Sequence, residues 1–447
     1  MTNNLQLQLL QAKQRRRLQT SLDTMRQAVQ EAASNYRNFH LLRQKAKNWR
    51  WESIENLDRY LQEFETNFQS SGGEIIWAET AEEARNEIRR LRSEQEYDSV
   101  VIGRSSEAAE IELETFFQNV ALDYQLADFG QHISKEIALS RRHSVYPLIE
   151  METQEVAQKM QLPGLNAEKM SKELRKVIRK KQKGLTLSIT GADFLLADSG
   201  WIANCSTEGD ASWASAVSDT QIVVAGIDRV LPNLNALHDI MPVHASFQNG
   251  QRLPVRTLLQ KGNKPTDGSA PRGKQQRKIV IIIDNGRSDL LADPIFREAL
   301  YDLEGSSFVL DCPVYQHVSG AHYYSLLPGP LGSVLTHLLY KERDFEQLPF
   351  LSSFQDNLCS NPYLINLNRM IVNARSHSIN GSGRSTLENY FWKGWKKAML
   401  SRKELDKRGS VMKNTIYRKL FGRFIGGKQS TPAFAKKSFA QLWEERR

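Results

Sequence analysis

Reading back from Cys312-Pro313, the chain places Phe308, Gly305 and Asp302 in three informative slots. In the spacing C-x2-C-x2-C-x3-C-P those slots hold thiolates that wrap successive corners of a [4Fe–4S] cluster. A second run ends at Pro362, with Asn361, Asn357 and Phe354 in the slots and Cys359 out of register. The chemistry outlined is electron transfer, with most of its sulfur removed. Cys312 is the one cysteine left in a ligand slot, and it is the residual metal-ligand candidate. Its plainer reading is a small buried hydrophobe ending a segment. His317 and His322, five apart in a Gly- and aromatic-rich stretch, have ligand spacing but lack a completing cluster in the sequence nearby.

A second group of candidates is Asp198, Thr207, Glu208 and Gly209, on loops at the ends of apolar strands. Open α/β sheets place ligands there, and a carboxylate at such an edge serves as acid, base or hydrogen-bond acceptor. These four are the substrate-pocket candidates; turn and capping chemistry is the competing reading. No catalytic residue is assigned. Neither G-x-G-x-x-G nor G-x-x-x-x-G-K-[ST] occurs, so no phosphate loop is expected.

The elements that must carry these residues follow from periodicity. Helices are expected over 5–67, where Ile54, Leu57, Leu61 and Phe64 recur at three- and four-residue spacing. Strands are expected at 74–78, 98–102 and 121–126, alternating with helices at 81–96 and 109–117. Thr80 and Glu83 form a capping box for the first of these. This alternation predicts a mostly parallel α/β sheet. A helix at 167–182 precedes strands near 186–189, 194–197, 201–203 and 221–226, with a short helix at 230–240 broken by Pro232. Residues 261–277 form a loop. Residues 278–284, a continuous apolar run, make an interior strand. Helices are expected at 293–303 (Pro294 in the first position), 334–340, 364–374 and 387–400.

The chain's 447 residues suffice for two or three domains. Its three cysteines fit a reducing compartment rather than a disulfide framework, and a cytoplasmic location is expected. No apolar run approaches the ~18 residues of a membrane span. The net charge of +9 is spread along the chain, in runs that read as solvated helix faces, and nucleic-acid binding is not expected. Trp392, Trp395, Tyr417 and Phe424 stand among lysines and arginines, which leaves room for peripheral membrane contact.

Three stretches carry a resemblance. They are Ile189-Thr190-Gly191-Ala192-Asp193-Phe194 with Thr207-Glu208-Gly209; Asp284-Asn285-Gly286-Arg287-Ser288 with Leu291-Ala292-Asp293-Pro294; and Cys312-Pro313-Val314-Tyr315 with Pro328-Gly329-Pro330-Leu331-Gly332. In order and spacing they resemble the lactate-utilisation iron–sulfur protein family (LutB/LldF type) over nearly the whole chain. The resemblance implies an α/β LUD domain, with a sheet of the NagB/RpiA/CoA-transferase kind, plus an α-helical, degenerate ferredoxin-like domain. The expected division is an N-terminal helical segment (1–70), the LUD domain (71–287), the degenerate two-cluster region (288–380) and a basic helical tail (381–447). The resemblance further implies a subunit of a system oxidising L-lactate to pyruvate, with LutA-like and LutC-like partners. The family carries two [4Fe–4S] clusters; none is expected on this chain, which would serve as a scaffold or reduced-function subunit. Two other roles stay open. One is an electron-transfer protein completing a cluster with a partner, and the other is a LUD-pocket enzyme acting on a small anionic metabolite.

Overall fold

The computed structural model describes residues 11–94, 97, 99–139, 146–162, 166–182, 184–207, 209–264, 276–302, 306–322, 329–339, 348–352, 361–381, 390, 393–394, 396–397, 400–401, 410–421, 433 and 435–446. Two compact units divide the chain, Met1–Ser378 and Ile379–Arg447. Among the described residues no helix is long and apolar enough to cross a membrane.

The first unit opens with α1 (Ala12–Ser34), α2 (Phe39–Glu55) and α3 (Leu57–Ser70). α3 forms because Leu57, Tyr60, Leu61, Phe64 and Phe68 fall on one helical face, and all five are buried. Then come β1 (Glu74–Ala78), α4 (Ala81–Glu94), β2 (Ser99–Ile102), α5 (Ser106–Glu110), α6 (Leu113–Asn119), β3 (Asp123–Leu126), α7 (Phe129–Glu136), α8 (Thr153–Lys159) and α9 (Ala167–Gln182). The chain continues through β4 (Leu187–Gly191), β5 (Phe194–Leu196), β6 (Trp201–Ser206), α10 (Asp210–Val217), β7 (Thr220–Gly226), β8 (Val230–Leu231), α11 (Leu234–Asn249), β9 (Arg256–Gln260) and β10 (Arg277–Ile283). Further helices follow: α12 (Arg287–Ala292), α13 (Tyr315–His322), α14 (Gly329–Leu339), α15 (Leu348–Leu351) and α16 (Leu367–Gly381).

Six strands form an all-parallel sheet in the order β1-β10-β7-β4-β2-β3. β10 shows why its apolar run is unbroken. Ile279, Ile281 and Ile283 enter a core with Ile88, Leu91 and Phe117. Val280 and Ile282 enter the opposite core with Phe64, Phe68 and Leu237. A period of two with both faces covered demands apolar residues at every position. A second sheet, β8-β5-β6-β9, packs its residues into that opposite core.

Several expectations are corrected. Residues 230–240 are not one helix. Val230–Leu231 is a strand paired with β5, and the helix begins at Leu234 because the Asn233 side chain accepts from Ala236 N at 3.1 Å. The helix expected at 109–117 is two, divided where Glu112 adopts φ +50°. Residues 293–303 hold a tighter 3-10 turn, Arg297–Tyr301. There the Asp293 carboxylate takes Ile295 N and Phe296 N, closing a turn in place of an α-helical start. β9 is a strand that periodicity missed. At α4 the Thr80 hydroxyl accepts from Glu83 N, as expected, but Glu83 accepts from Glu79 N, one residue earlier than a capping box predicts. Most of 261–277 and 387–400, together with Gly305, Phe354, Asn357 and Cys359, lies outside the described residues.

Candidate functional site

From β2 the chain steps outward to β3, then returns to β4 and proceeds the other way through β7 and β10. β2 and β4 are neighbours whose exit loops diverge, so a crevice opens beyond their carboxyl ends. A cleft of about 220 Å³ lies there. It is lined by the exit of β2 (Arg104, Ser105, Ser106, Glu107), the exit of β4 (Gly191, Ala192, Asp193), the end of β6 (Asn204 to Thr207) and the start of α10 (Asp210, Ala211). Gly191 is required by closeness: a Cβ there would stand 2.9 Å from the Ser105 hydroxyl oxygen.

Acceptors dominate this lining. Asn204, 7 % exposed, lines the cleft and donates its Nδ2 to Gly191 O at 2.9 Å, and its buried Oδ1 has no hydrogen-bond partner among the described residues. Asp210 Oδ2 accepts from Arg104 N at 2.7 Å, and Asp193 accepts from Cys205 N. Asp128 caps α7 by accepting from Gln131 N at 2.8 Å. Carboxylates thus fix the loop backbones around the cleft. A guest of complementary chemistry brings hydroxyl or amine donors to its floor.

Of the residues expected to form a pocket, Thr207 lines the cleft. Gly209, with φ +72°, starts α10 and donates its N to the Ser206 hydroxyl at 3.0 Å. Glu208 lies outside the described residues. Asp198 stands apart from the lining, on the exposed turn between β5 and β6, where its N donates to Pro232 O. Sequence reasoning missed Asn204, Asp193 and Asp210. The signal for Asp193 was present in Gly191-Ala192-Asp193, a carboxylate two residues past a glycine at a strand end. Asn204 gave none, being one polar residue inside an apolar strand.

Behind the cleft lies a buried ionic network. Arg229 Nε donates to Glu107 Oε1 at 2.7 Å and its Nη2 to Ser106 Oγ at 2.8 Å. Arg287 grips Glu110 through two bonds (2.9 and 2.7 Å) and Asp228 through one (2.7 Å). Burial works against the Arg287 cation, but the Glu110 and Asp228 carboxylates outweigh it and push its pKa well above the ordinary value. Arg50 is shifted down instead. Burial dominates there, and the Asp228 carboxylate at 4.0 Å offsets it only in part.

The second set of candidates sits in packed surroundings. Cys312 is fully buried among Phe308, Leu310 and Tyr315, and its Sγ accepts weakly from Tyr315 N at 3.5 Å. Burial raises the Tyr315 phenol above its usual range. His317 bonds the carbonyl of Pro313 at 2.8 Å. Asn361, in the slot before Pro362, closes a turn by donating to Ile365 O and accepting from Ile365 N, both at 2.8 Å. Cations of α1 and α2 peg the same region through its carbonyls. Arg26 holds Leu310, Arg43 holds Asn361, Lys47 holds Leu364, and Arg50 holds Leu300 and Tyr301. A cavity bordered by Arg50, Asp228, Arg229, Asp302, Ser307, Pro362 and Tyr363 measures about 20 Å³. Among the described residues no group of three or more His, Cys, Asp or Glu is arranged to hold a metal ion.

Comparison with known proteins gives this architecture a family. Residues 61–282 match the LUD domain. "Lactate utilization protein B" of Bacillus cytotoxicus is 29 % identical over 364 residues, 80 % of this chain and 76 % of that protein. The protein of the same name from Shouchella clausii is 30 % identical over 341 residues, 75 % of this chain and 70 % of that one. Among solved structures, a DUF162 family protein from Deinococcus radiodurans is 13 % identical and covers 51 % of this chain and 98 % of that one. Its TM-score of 0.29 is too low to carry an argument. The parallel sheet with its switch-point cleft, the LUD match and the relatives aligned across 70 % or more of their length place this chain in the lactate utilization protein B family.

Proposed function

We propose that this lactate-utilisation subunit carries no [4Fe–4S] cluster of its own and acts as a scaffold on which other lactate-utilisation subunits, LutA-like and LutC-like, assemble. The observation that carries the reading is the donor set at the two ligand runs. Asp302, Gly305, Phe308 and Cys312 fill the first, and Phe354, Asn357 and Asn361 the second. With Leu351 in the remaining slot of the second run, one thiolate in eight slots does not fit two cubanes, each of which needs four. Two structural details support it. Phe308 and Cys312 are packed as core residues, and the cavity beside Asp302 and Pro362 is about 20 Å³, room for roughly one water molecule. The Asn361 turn and the cationic pegs of α1 and α2 take over the cross-linking that thiolate–iron bonds would supply. The test is anaerobic purification and reconstitution with iron and sulfide, followed by metal assay and electron paramagnetic resonance. A colourless chain without stoichiometric iron is expected; a stable cubane signal on the isolated chain overturns the reading. Shared ligation with a partner is tested by Cys312→Ser in the co-purified complex, where iron content should not change.

The cleft supports a second reading, that the subunit binds the small hydroxy acid of its pathway. Asn204 Oδ1 is the supporting observation: it is buried with no partner among the described residues, and such an acceptor is costly unless a ligand donor meets it. Calorimetric titration with L-lactate and with pyruvate tests it. Lactate, which has the hydroxyl donor, should bind more tightly, and Asn204→Leu should abolish the difference. Equal affinities dismiss the assignment.

A further inference from the structure

Cationic runs occur along the whole chain, but outside residues 379–447 carboxylates balance them, so the net positive charge lies at one end. Residues 379–447 hold 17 of the 60 Lys and Arg residues but only 5 of the 51 Asp and Glu, so the remainder of the chain is close to neutral and slightly acidic. This segment coincides with the second compact unit, Ile379–Arg447. Large apolar side chains stand exposed within it. Tyr390, Leu400, Val411, Met412, Phe439 and Trp443 are each more than half exposed.

This unit includes the helices α17 (Ser410–Phe421) and α18 (Phe439–Glu444). α18 is short but secured at its start. The Ser438 hydroxyl accepts from Gln441 N at 3.3 Å, and Gln441 returns a bond to Ser438 N at 2.8 Å. Phe439 and Trp443, four apart, stack with ring centroids 5.9 Å apart, and Leu442 lies beside them on the same side. Lys437 is held over the helix by Glu445. Lys436 precedes it, and Arg446 and Arg447 follow. The result is an exposed apolar face bracketed by cations. At the start of α17, Val411 and Met412 are exposed, and Arg418 follows them on the same helix.

We propose that residues 379–447 dock on an anionic lipid membrane. Clustered cations are drawn to a negatively charged leaflet. Tryptophan and phenylalanine favour the headgroup boundary, where aliphatic neighbours enter the acyl region. A nucleic acid would satisfy the cations but has no use for exposed Leu400, Val411, Met412 and Leu442, and that difference selects lipid.

The test uses the full chain and sedimentation with vesicles of phosphatidylcholine, with and without phosphatidylglycerol. Binding should be at least about tenfold stronger to the anionic vesicles and should weaken steeply with added salt. Lys436→Glu/Lys437→Glu should weaken it through charge, and Phe439→Ser/Trp443→Ser through insertion. All four side chains are exposed, so both variants should melt at the parent temperature. Bromine-labelled lipid should quench tryptophan emission in the parent and less so in Trp443→Phe. Equal binding to neutral and anionic vesicles overturns the proposal. So does absence of binding to both, or retention on duplex DNA without retention on vesicles.

Discussion

At Arg287 three bonds to carboxylates converge on a guanidinium that is 1 % exposed. Removing one partner of such a buried pair strands the opposite charges in low dielectric, and the cost is about 3–5 kcal/mol. Arg287→Leu should therefore lower stability by about that amount in urea titration, whereas Arg287→Lys keeps the charge but loses the fork and should fall between. Gly226 belongs to the same network. A Cβ there would stand 2.3 Å from Asp228 Oδ1 and 2.5 Å from Arg287 Nε, so Gly226→Ala should disturb the ion pairs without touching a charge. Glu150 presents the opposite case. Burial raises its pKa, and a hydrogen bond from Ser319 offsets this only in part. Between the ordinary glutamate range and the raised value, the folded state holds a proton that the unfolded chain has released. Its contribution is favourable below the ordinary glutamate range and lost as pH rises through the raised value. Glu150→Gln should accordingly be more stable than the parent at neutral pH, with the gain vanishing in acid; denaturation at a series of pH values checks the sign.

At the scale of elements, local chemistry decides where helices start. Asn233 begins α11 by accepting from Ala236 N, and Asn233→Ala should cost about 1 kcal/mol. Asn361 makes two bonds in a fully enclosed turn, 2 % exposed, so Asn361→Ala leaves buried backbone groups unpaired. Its loss should exceed that of Asn233→Ala, and comparing the two midpoints under one denaturant is the check. The helices that hold the segment around Cys312 and Asn361 rely on such side-chain bonds. Arg26, Arg43, Lys47 and Arg50 project from α1 and α2 onto its carbonyls, tying the beginning of the chain to residues some three hundred positions later.

For the whole molecule, one apolar cluster joins α1–α3, the second sheet, α11 and the segment from Leu290 to Ala374. The large sheet rests one face on it. A fragment of residues 71–287 would therefore expose Phe194, Val223, Leu237 and Ile282 to water. That fragment should bind a hydrophobic dye and unfold without a sharp transition, while residues 1–378 should unfold cooperatively. A cooperative 71–287 fragment would show that its own core suffices.

The parallel α/β sheet was legible because its strands are buried on both faces. A run such as Ile279 to Ile283 must then be apolar at every position, where a half-exposed strand would alternate. The scarcity of thiolates was legible for a simpler reason, since coordination needs ligands that can be counted. What the linear order concealed depends on residues distant in the chain. Asp198 and Thr207 look equivalent as loop residues at strand ends, yet the second sheet carries one to an exposed turn and the other to the cleft. Asn204 reads as a flaw in an apolar strand until β4 supplies the Gly191 carbonyl that fixes its amide and leaves its oxygen without a partner among the described residues. Patterning along a chain records which faces are buried; only the packed sheet decides which polar atoms meet, because those contacts join residues whose separation in sequence sets no limit on their distance in space.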